Sequence, residues 1–427
     1  MVVSGSLTMI GPTIDMIWVG KLGTTPMAGV GVSGMVVQLV DAIHIGLTVG
    51  VRAMVARFTG AGDAEAANHA AKQAFVVSIA FCIIIAIIGI FFAKPILILL
   101  GVGPDVANEG ALYLRIMLVG SVFMSFRTLT EAIMQASGDA INPMKIAVFY
   151  RLFHVALCPC LIFGWWLFPQ LGIGGAAVTN IFSQALGATL GLWLLFTGRT
   201  RLQLTLKNFR LDPNTILRML KIGLPPSVVG LQTTFVQLLF MWFITPFGTL
   251  AIAAHSMCQR VQVFMQTVGR GVGQASGVLI GQNLGARQPE RAKKSGWLAA
   301  GLVSTITVIT SAIILIWPES IVRIFSTDPD LVSLGSTFLL IYVAGSLGSG
   351  LIAVFVGSLQ GAGDTLVPML VNLLNMWLLT MPLAFFLTRY TDIGVFGVRW
   401  AMVASTTVSG IFYTIYFQGG RWKLKEV

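Results

Sequence analysis

The chain has 427 residues, of which 56% are hydrophobic and only 10% are charged, and its mean hydropathy is +0.86. A water-facing surface of ordinary composition requires more charge than this, so the composition excludes a soluble globular domain and indicates a membrane protein. The net charge of +11 is typical of nucleic-acid binding only if it forms a patch, and its distribution along the chain argues otherwise.

Twelve hydrophobic stretches follow one another between glycines, prolines and charged residues. Several of them, such as 75–92, 297–317 and 332–356, are free of charge over about 20 residues, the length that crosses the hydrocarbon core of a bilayer. We therefore predict an all-α membrane protein with about 12 transmembrane helices. The predicted spans are 1–20, 26–54, 70–98, 107–136, 143–167, 172–197, 225–246, 250–280, 292–317, 332–361, 367–389 and 395–419.

The basic residues are strongly one-sided. With the N-terminus placed inside, the loops after spans 2, 4, 6 and 8 and the C-terminal tail hold 18 of the 27 Lys and Arg, whereas the opposite side holds six. This positive-inside pattern predicts a multi-pass protein of the cell (inner) membrane with both termini in the cytoplasm. The charge is thus explained by topology, and we expect no nucleic-acid partner.

The cysteines give no sign of a disulfide framework or a metal site. All four lie within hydrophobic stretches and lack zinc-ligand spacing, so we interpret them as packing residues and expect no metal. They are Cys82, Cys158, Cys160 and Cys258.

An internal repeat appears when the chain is shifted against itself by 225 residues without a gap. The string Gln-x-x-Gly-Asp-x-x-x-Pro-Met occurs at 135–144 and again at 360–369. Each repeat has six spans, an even number, so both halves enter the membrane in the same orientation and form parallel six-helix lobes around a central cavity. The shift pairs Met1 with Pro226, so the first repeat lacks a lead-in, and we expect that the chain starts late.

These boundaries define three parts. The N-terminal lobe is predicted at 1–198, a cytoplasmic basic linker at 199–224, and the C-terminal lobe at 225–427. Within the linker, Asp212-Pro213 is a favourable helix start, and an apolar stripe follows, formed by Ile216, Leu217, Leu220 and Leu224. We predict a short interfacial helix there.

Several motifs resemble those of a known family. They are Asp15–Gly23 in span 1 and the loops Gly60–Asp63, Gly138–Met144, Gly281–Ala286 and Gly361–Asp364. On these residues the chain resembles the multidrug and toxic compound extrusion family, and within it the DNA-damage-inducible branch. The resemblance implies two six-helix lobes around a V-shaped cavity. It also implies export of small amphipathic, often cationic compounds against an inward flow of protons or sodium.

Asp15 is the first candidate for ion coupling. It lies within span 1, where an ionisable group costs about 2.5 to 3.5 kcal/mol, so its presence requires a reason. One interpretation is a coupling carboxylate that binds and releases a proton, and the other is a structural hydrogen-bond acceptor near the helix end. The resemblance favours coupling, because related transporters keep a carboxylate at this position.

Span 5 departs from the pattern of the family, which places Asn and Asp four residues apart before a Pro-x-Leu-Ile-Phe-Gly string. Here that string is 159–164 and the two positions are His154 and Cys158, which share a helix face that we expect to point toward Asp15. In span 6, Asn180 stands where the family tends to carry Thr. The oxygen cage that sodium prefers is thus depleted, so we predict proton coupling with His154 as a second titrating group. The alternative for His154 is a packing role.

The remaining polar residues within spans are candidates for the substrate cavity. Asp41 and His44 share a face of span 2 and could line the cavity or pair with each other. In span 4, Arg127 and Glu131 are spaced to form an intrahelical ion pair. Span 8 carries a polar stripe that we predict to line the cavity, formed by Gln259, Gln262, Gln266 and Arg270, with Arg260 beside it.

The coupling positions have no counterpart in the second repeat. The aligned residues are Phe240, Leu379, Leu383 and Ser405. The sequence therefore predicts that coupling resides in the N-terminal lobe.

The overall prediction is a monomeric secondary antiporter in contact with membrane lipid, without a cofactor apart from the driving ion gradient. No Walker-type phosphate loop is present, which excludes ATP-driven pumping by this chain alone. One alternative is a flippase for lipid-linked oligosaccharides of the same superfamily, favoured by Arg260 and Arg270. An intramembrane enzyme would require a dyad of Asp15 with Asp41 and has no recognisable motif, so we predict that the protein is not an enzyme.

Overall fold

The computed structural model describes residues 1–165, 168–207 and 209–425, with the backbone alone for residues 2–6 and 8–10. Its regular elements in this part of the chain are all helical. Helices of the first repeat are α1 (Val2–Gly20), α2 (Thr24–Gly60), α3 (Ala64–Leu99), α4 (Pro104–Val119), α5 (Ser121–Ala136), α6 (Ile141–Phe163) and α7 (Gly172–Phe196). They are followed by α8 (Pro213–Ile244), α9 (Thr249–Gly285), α10 (Pro289–Ile316), α11 (Pro318–Arg323), α12 (Pro329–Gly361), α13 (Leu366–Leu374), α14 (Met381–Tyr390) and α15 (Phe396–Gly419).

Helical segments occupy all twelve predicted spans in the described residues. Eight segments are long and apolar enough to cross a membrane, and the pair α4–α5, bent by 44°, is a ninth. Helix α9 coincides with the predicted span 250–280, although it contains the polar stripe. The fifth predicted span, 143–167, corresponds to α6, which ends at Phe163; positions 166 and 167 lie outside the described residues.

The repeat is confirmed by the helix boundaries. Helices α2 and α9 both have 37 residues and run over Thr24–Gly60 and Thr249–Gly285, so that both ends differ by the predicted shift of 225. Helices α3 and α10, α4 and α12, and α6 and α13 also begin at the same shift. The all-α fold and the duplicated order of helices are therefore as predicted.

The chain divides into two compact units. The first comprises Met1 and Val3–Ser227, and the second begins at Val228. In the first unit α6 packs along α7 and α3 along α4, and in the second α12 packs against α9, α10 and α15. The boundary between the units falls within α8.

The linker helix differs from the prediction. Instead of a short helix ending at 224 and a separate seventh span, α8 is one continuous helix that contains Pro225 and Pro226. The N-terminal half of α8 packs in the first unit, where the Ser227 hydroxyl donates to the carbonyl of Ile43 at 2.8 Å. Tertiary packing of this kind keeps a helix continuous through prolines that would end it in isolation.

The start of α8 is well capped. The Asp212 carboxylate accepts hydrogen bonds from the backbone N–H groups of Asn214 and Thr215 and from the Thr215 hydroxyl. This hydroxyl hydrogen bond is the main reason why the pKa of Asp212 falls to about 2. Asp212 also lies 3.3 Å from Nε2 of His69, which ties the linker to α3.

Close contact between α9 and α12 depends on glycines. A Cβ atom added at Gly277 would lie 2.3 Å from the carbonyl oxygen of Gly357, closer than real Cβ contacts. Helix association in membranes relies on small residues that let backbones approach, because lipid supplies no hydrophobic driving force between helices.

We expect Gly277→Ala to lower the free energy of unfolding by about 1–3 kcal/mol, since both backbones must move apart. The matched control is Gly301→Ala on α10, where an added Cβ meets nothing within 4 Å. This control should be neutral or slightly stabilising, because Ala is the better helix former. Melting temperatures in detergent compare the two variants, and equal shifts would refute a packing role for Gly277.

Candidate ion-coupling site

Asp15 is fully enclosed within the first unit. Its side chain, on α1, is 2% exposed, and those of His154 and Cys158, one turn apart on α6, are equally buried. The prediction that these two residues face Asp15 is confirmed. Gly175 lets α7 approach α6 closely, because any larger residue would place its Cβ 2.4 Å from the carbonyl oxygen of Leu161. This close approach brings α7 next to the same site.

Three side chains from two helices surround the Asp15 carboxylate. Nε2 of His154 lies 3.2 Å from Oδ1, and the Cys158 thiol donates to the same oxygen at 3.4 Å. On the other side, Nδ2 of Asn180 on α7 donates to Oδ2 at 3.5 Å. Nδ1 of His154 is buried without a hydrogen-bond partner. A carboxylate buried to this degree is costly unless hydrogen bonds, a proton or a cation compensate its charge.

A chain of polar side chains continues from Asn180 toward α5. Oδ1 of Asn180 accepts from Nε2 of Gln184 at 3.4 Å, and Oε1 of Gln184 in turn accepts from Nε of Arg127. Arg127 forms the predicted intrahelical ion pair with Glu131 at 3.0 Å. The amide of Gln135 donates to the other oxygen of Glu131, also at 3.0 Å. The orientation of the Asn180 amide is therefore coupled to a buried arginine.

Gln184 is the residue that the sequence interpretation missed. It lies four residues after Asn180, so a helix face drawn through Asn180 would have included it. Its role is positional, because it orients Asn180 rather than contacting Asp15.

The donor set determines which ions the site could hold. One oxygen of Asp15, one ring nitrogen of His154 and the sulfur of Cys158 lie within 4.8 Å of one another. Sodium prefers oxygen ligands, whereas nitrogen and sulfur suit zinc-like metals. Among the four side chains of this site, only the Asp15 carboxylate presents oxygen ligands, because the Asn180 oxygen accepts from Gln184 instead.

The second unit has a different cluster at the repeat-related position. Phe240, the counterpart of Asp15, is buried in an apolar group with Val236 and Ile244. Ser405, the counterpart of Asn180, accepts a hydrogen bond from the Asn375 amide at 2.9 Å. Asn375 begins a π-helical segment, Asn375–Thr380, between α13 and α14. This cluster lacks a carboxylate at the position of Phe240, so the carboxylate of Asp15 has no counterpart in the second unit.

Asp41 and His44 do not pair with each other. Nδ1 of His44 lies 3.4 Å from the hydroxyl of Thr128, while Oδ1 of Asp41 is buried without a partner. The pairing alternative is therefore wrong, because α2 packs against α5 and turns His44 toward it.

The polar stripe of α9 is only partly gathered in one place. Gln266 lines a cavity between α9, α10 and α12 together with Thr307, Tyr342 and Ser349. Arg270 donates to Gln266 at 3.3 Å. Outside that cavity lining lie the other stripe residues: Gln259 is half-buried, Arg260 is exposed, and Gln262 donates to the Cys258 sulfur at 3.5 Å.

The helical repeats and the enclosed carboxylate together define a multi-pass membrane transporter. The sequence model of the MatE family matches residues 1–160 and 225–386, and a shift of 225 residues carries the first match onto the second to within one residue. The chain therefore belongs to the multidrug and toxic compound extrusion family.

Similar proteins extend over almost the whole chain. A probable multidrug resistance protein NorM of Thermotoga maritima is 25% identical over 426 residues, covering 99% of this chain and 90% of that protein. An FAD transporter of Shewanella oneidensis is 25% identical over 413 residues, covering 95% and 90%. A MOP superfamily transporter from Pyrococcus furiosus has the same fold, with a TM-score of 0.91 at 21% identity, covering 100% and 95%. These relatives are transporters.

Proposed function

We propose that the protein is a secondary antiporter that exports small amphipathic, cationic compounds in exchange for protons. The observation that carries this proposal is the buried Asp15 carboxylate with His154, Cys158 and Asn180 around it. A proton suits this set better than sodium, because two of the positions around the carboxylate offer nitrogen and sulfur instead of oxygen.

The cycle follows from two states of one site. With Asp15 unprotonated, its charge is balanced by the donors of α6 and α7, and a proton from outside neutralises it when the site opens outward. Neutralisation removes the charge that holds these donors and favours the alternative packing of α1 against α6 and α7. Exchange then requires that substrate and proton favour opposite states. Asp41, His44, Gln259, Arg260, Gln262 and Gln266 are the proposed cavity residues.

The setting of the protein is part of the same proposal. We place it as a monomer in the cell (inner) membrane, with both termini in the cytoplasm, in contact with lipid and without nucleic acid, cofactor or enzymatic activity. On the loop motifs we also propose that it belongs to the DNA-damage-inducible branch. An alternative is transport of anionic substrates, such as flipping of lipid-linked oligosaccharides. It is favoured by the relative named as an FAD transporter and by two exposed arginines of α9, Arg260 and Arg270.

Transport by purified protein in proteoliposomes tests the driving ion. Ethidium uptake is measured under an imposed pH gradient without sodium, and under an imposed sodium gradient at uniform pH. We expect uptake with the pH gradient, its collapse by a protonophore, and no response to sodium. Uptake driven by sodium at uniform pH would reject proton coupling. Absence of uptake under both gradients, with movement of a lipid-linked sugar instead, would favour the flippase.

A further inference from the structure

The second unit contains a buried arginine for which the described residues provide no counter-ion. Arg399 lies in the first turn of α15 and is 2% exposed. Its NH2 group donates to the carbonyl of His255 at 3.2 Å, and its guanidinium carbon lies 4.8 Å from the ring centre of Phe338. Nε and NH1 are buried and have no hydrogen-bond partner. Two donors of a fixed cation are therefore buried without an acceptor among the described residues.

Surrounding groups are neutral or apolar. Cys258, one turn after His255 on α9, packs with Phe338 in an apolar cluster. His255 is 4% exposed, and its Nδ1 is also buried without a hydrogen-bond partner. Glu319, the acid of α11, forms its ion pair with Arg323, at 3.3 Å. No ion pair within the described part of the chain involves Arg399.

Arg127 in the first unit provides the contrast. It is buried to a similar degree, but Glu131 and Gln184 satisfy it. A buried cation in a membrane is costly unless it is paired. The protein supplies the partner for one arginine from its own chain and leaves the other open.

The backbone around Arg399 adds to the positive potential. The first turn of a helix has N–H groups without intrahelical acceptors and carries the positive end of the helix dipole, which attracts anions. The guanidinium, the helix end and the open donors thus act in the same direction. A small anion would supply an acceptor for the two open donors of Arg399, and the buried apolar cluster around them disfavours a bulky ligand.

We propose that Arg399, His255 and the first turn of α15 form a binding site for one small monovalent anion, of the halide or carboxylate class. This site lies in the second unit, goes beyond the proposed antiport and does not involve Asp15. Bound there, the anion would neutralise Arg399 and hold the start of α15 against α9.

Direct binding of radioactive chloride tests the proposal. Equilibrium dialysis is performed on the full-length protein in nanodiscs of neutral phosphatidylcholine. We expect about one chloride per chain for wild type and loss of this binding in Arg399→Gln. The control Arg323→Gln should retain it, because that arginine is 66% exposed. Arg399→Lys should bind chloride more weakly than wild type, because it keeps the charge but not the two open donors.

Wild-type measurements keep the test decisive even if Arg399→Gln does not fold. In crystals grown with bromide, an anomalous peak beside the Arg399 guanidinium would support the site, and a peak elsewhere or none would overturn it. Nanodiscs with phosphatidylglycerol separate the source of the anion. Absence of chloride binding in neutral lipid, together with stabilisation by phosphatidylglycerol that Arg399→Gln abolishes, would assign Arg399 to a lipid phosphate and overturn the proposal. Failure of antiport has no bearing on these measurements.

Discussion

Asp15→Asn is expected to reduce gradient-driven ethidium transport to the level of protein-free vesicles. The substitution keeps the shape of the side chain but removes its charge and its capacity to exchange a proton at neutral pH. The carboxylate oxygens accept from the Cys158 thiol and from the Asn180 amide, and the N–H₂ group of an asparagine cannot accept, so one of these two hydrogen bonds is lost unless a side chain reorients. Transport is measured in proteoliposomes under an imposed pH gradient.

The control for this variant is Asp105→Asn, which makes the same chemical change in the exposed first turn of α4. It should transport like wild type. A structural role for Asp15 is distinguished from coupling by substrate binding and by downhill exchange. If Asp15→Asn remains folded and exchanges substrate but does not respond to the pH gradient, coupling is supported. Wild-type accumulation by a folded Asp15→Asn variant would reject the proposed site.

Glu131→Gln is expected to destabilise the first unit by about 3–5 kcal/mol, because removal of one partner from a buried ion pair leaves the other charge uncompensated. We expect the lower end of this range, since the Glu131 side chain is 21% exposed. Arg127 would retain Gln184 and its contact with the ring of Tyr150, at 5.0 Å, but would lose its counter-ion.

The chain offers a matched control in a second Arg–Glu pair with the same spacing. Glu319 and Arg323 are 63% and 66% exposed, and such solvated pairs contribute less than about 1 kcal/mol. Glu319→Gln should therefore shift the melting temperature little, whereas Glu131→Gln should lower it by many degrees. Thermal unfolding in detergent by tryptophan fluorescence measures both. Similar shifts in the two variants would show that Arg127–Glu131 is not a buried structural pair.

Two features of the fold required the tertiary structure. The sequence interpretation placed a short helix within the linker 199–224 and began the seventh span at Pro225. Packing of α8 on α2, with the hydroxyl of Ser227 on the carbonyl of Ile43, keeps it continuous. The sequence also predicted one span over 107–136, where the structure has α4 and α5 at an angle of 44°.

The sequence was sufficient to predict which helix face points into the candidate site, but not all the side chains that form it. The spacing of His154 and Cys158 indicated one face of α6, and the family resemblance indicated that this face meets Asp15. Neither showed that Gln184 connects Asn180 to Arg127. That connection depends on how α7 is rotated against α5, which no pattern within either helix records.

Composition and periodicity, with the shift of 225 residues, by themselves determined that this is a duplicated helical membrane protein, and they placed Asp15 within a span of the first repeat. These properties are local, because transfer into lipid depends on the composition of each segment and helix faces depend on a period of 3.6 residues. Only the tertiary structure decided which buried polar groups find partners. Arg127 of α5 meets Gln184 of α7, whereas Arg399 of α15 meets a single backbone carbonyl of α9, because pairing between helices depends on packing between residues far apart in the chain.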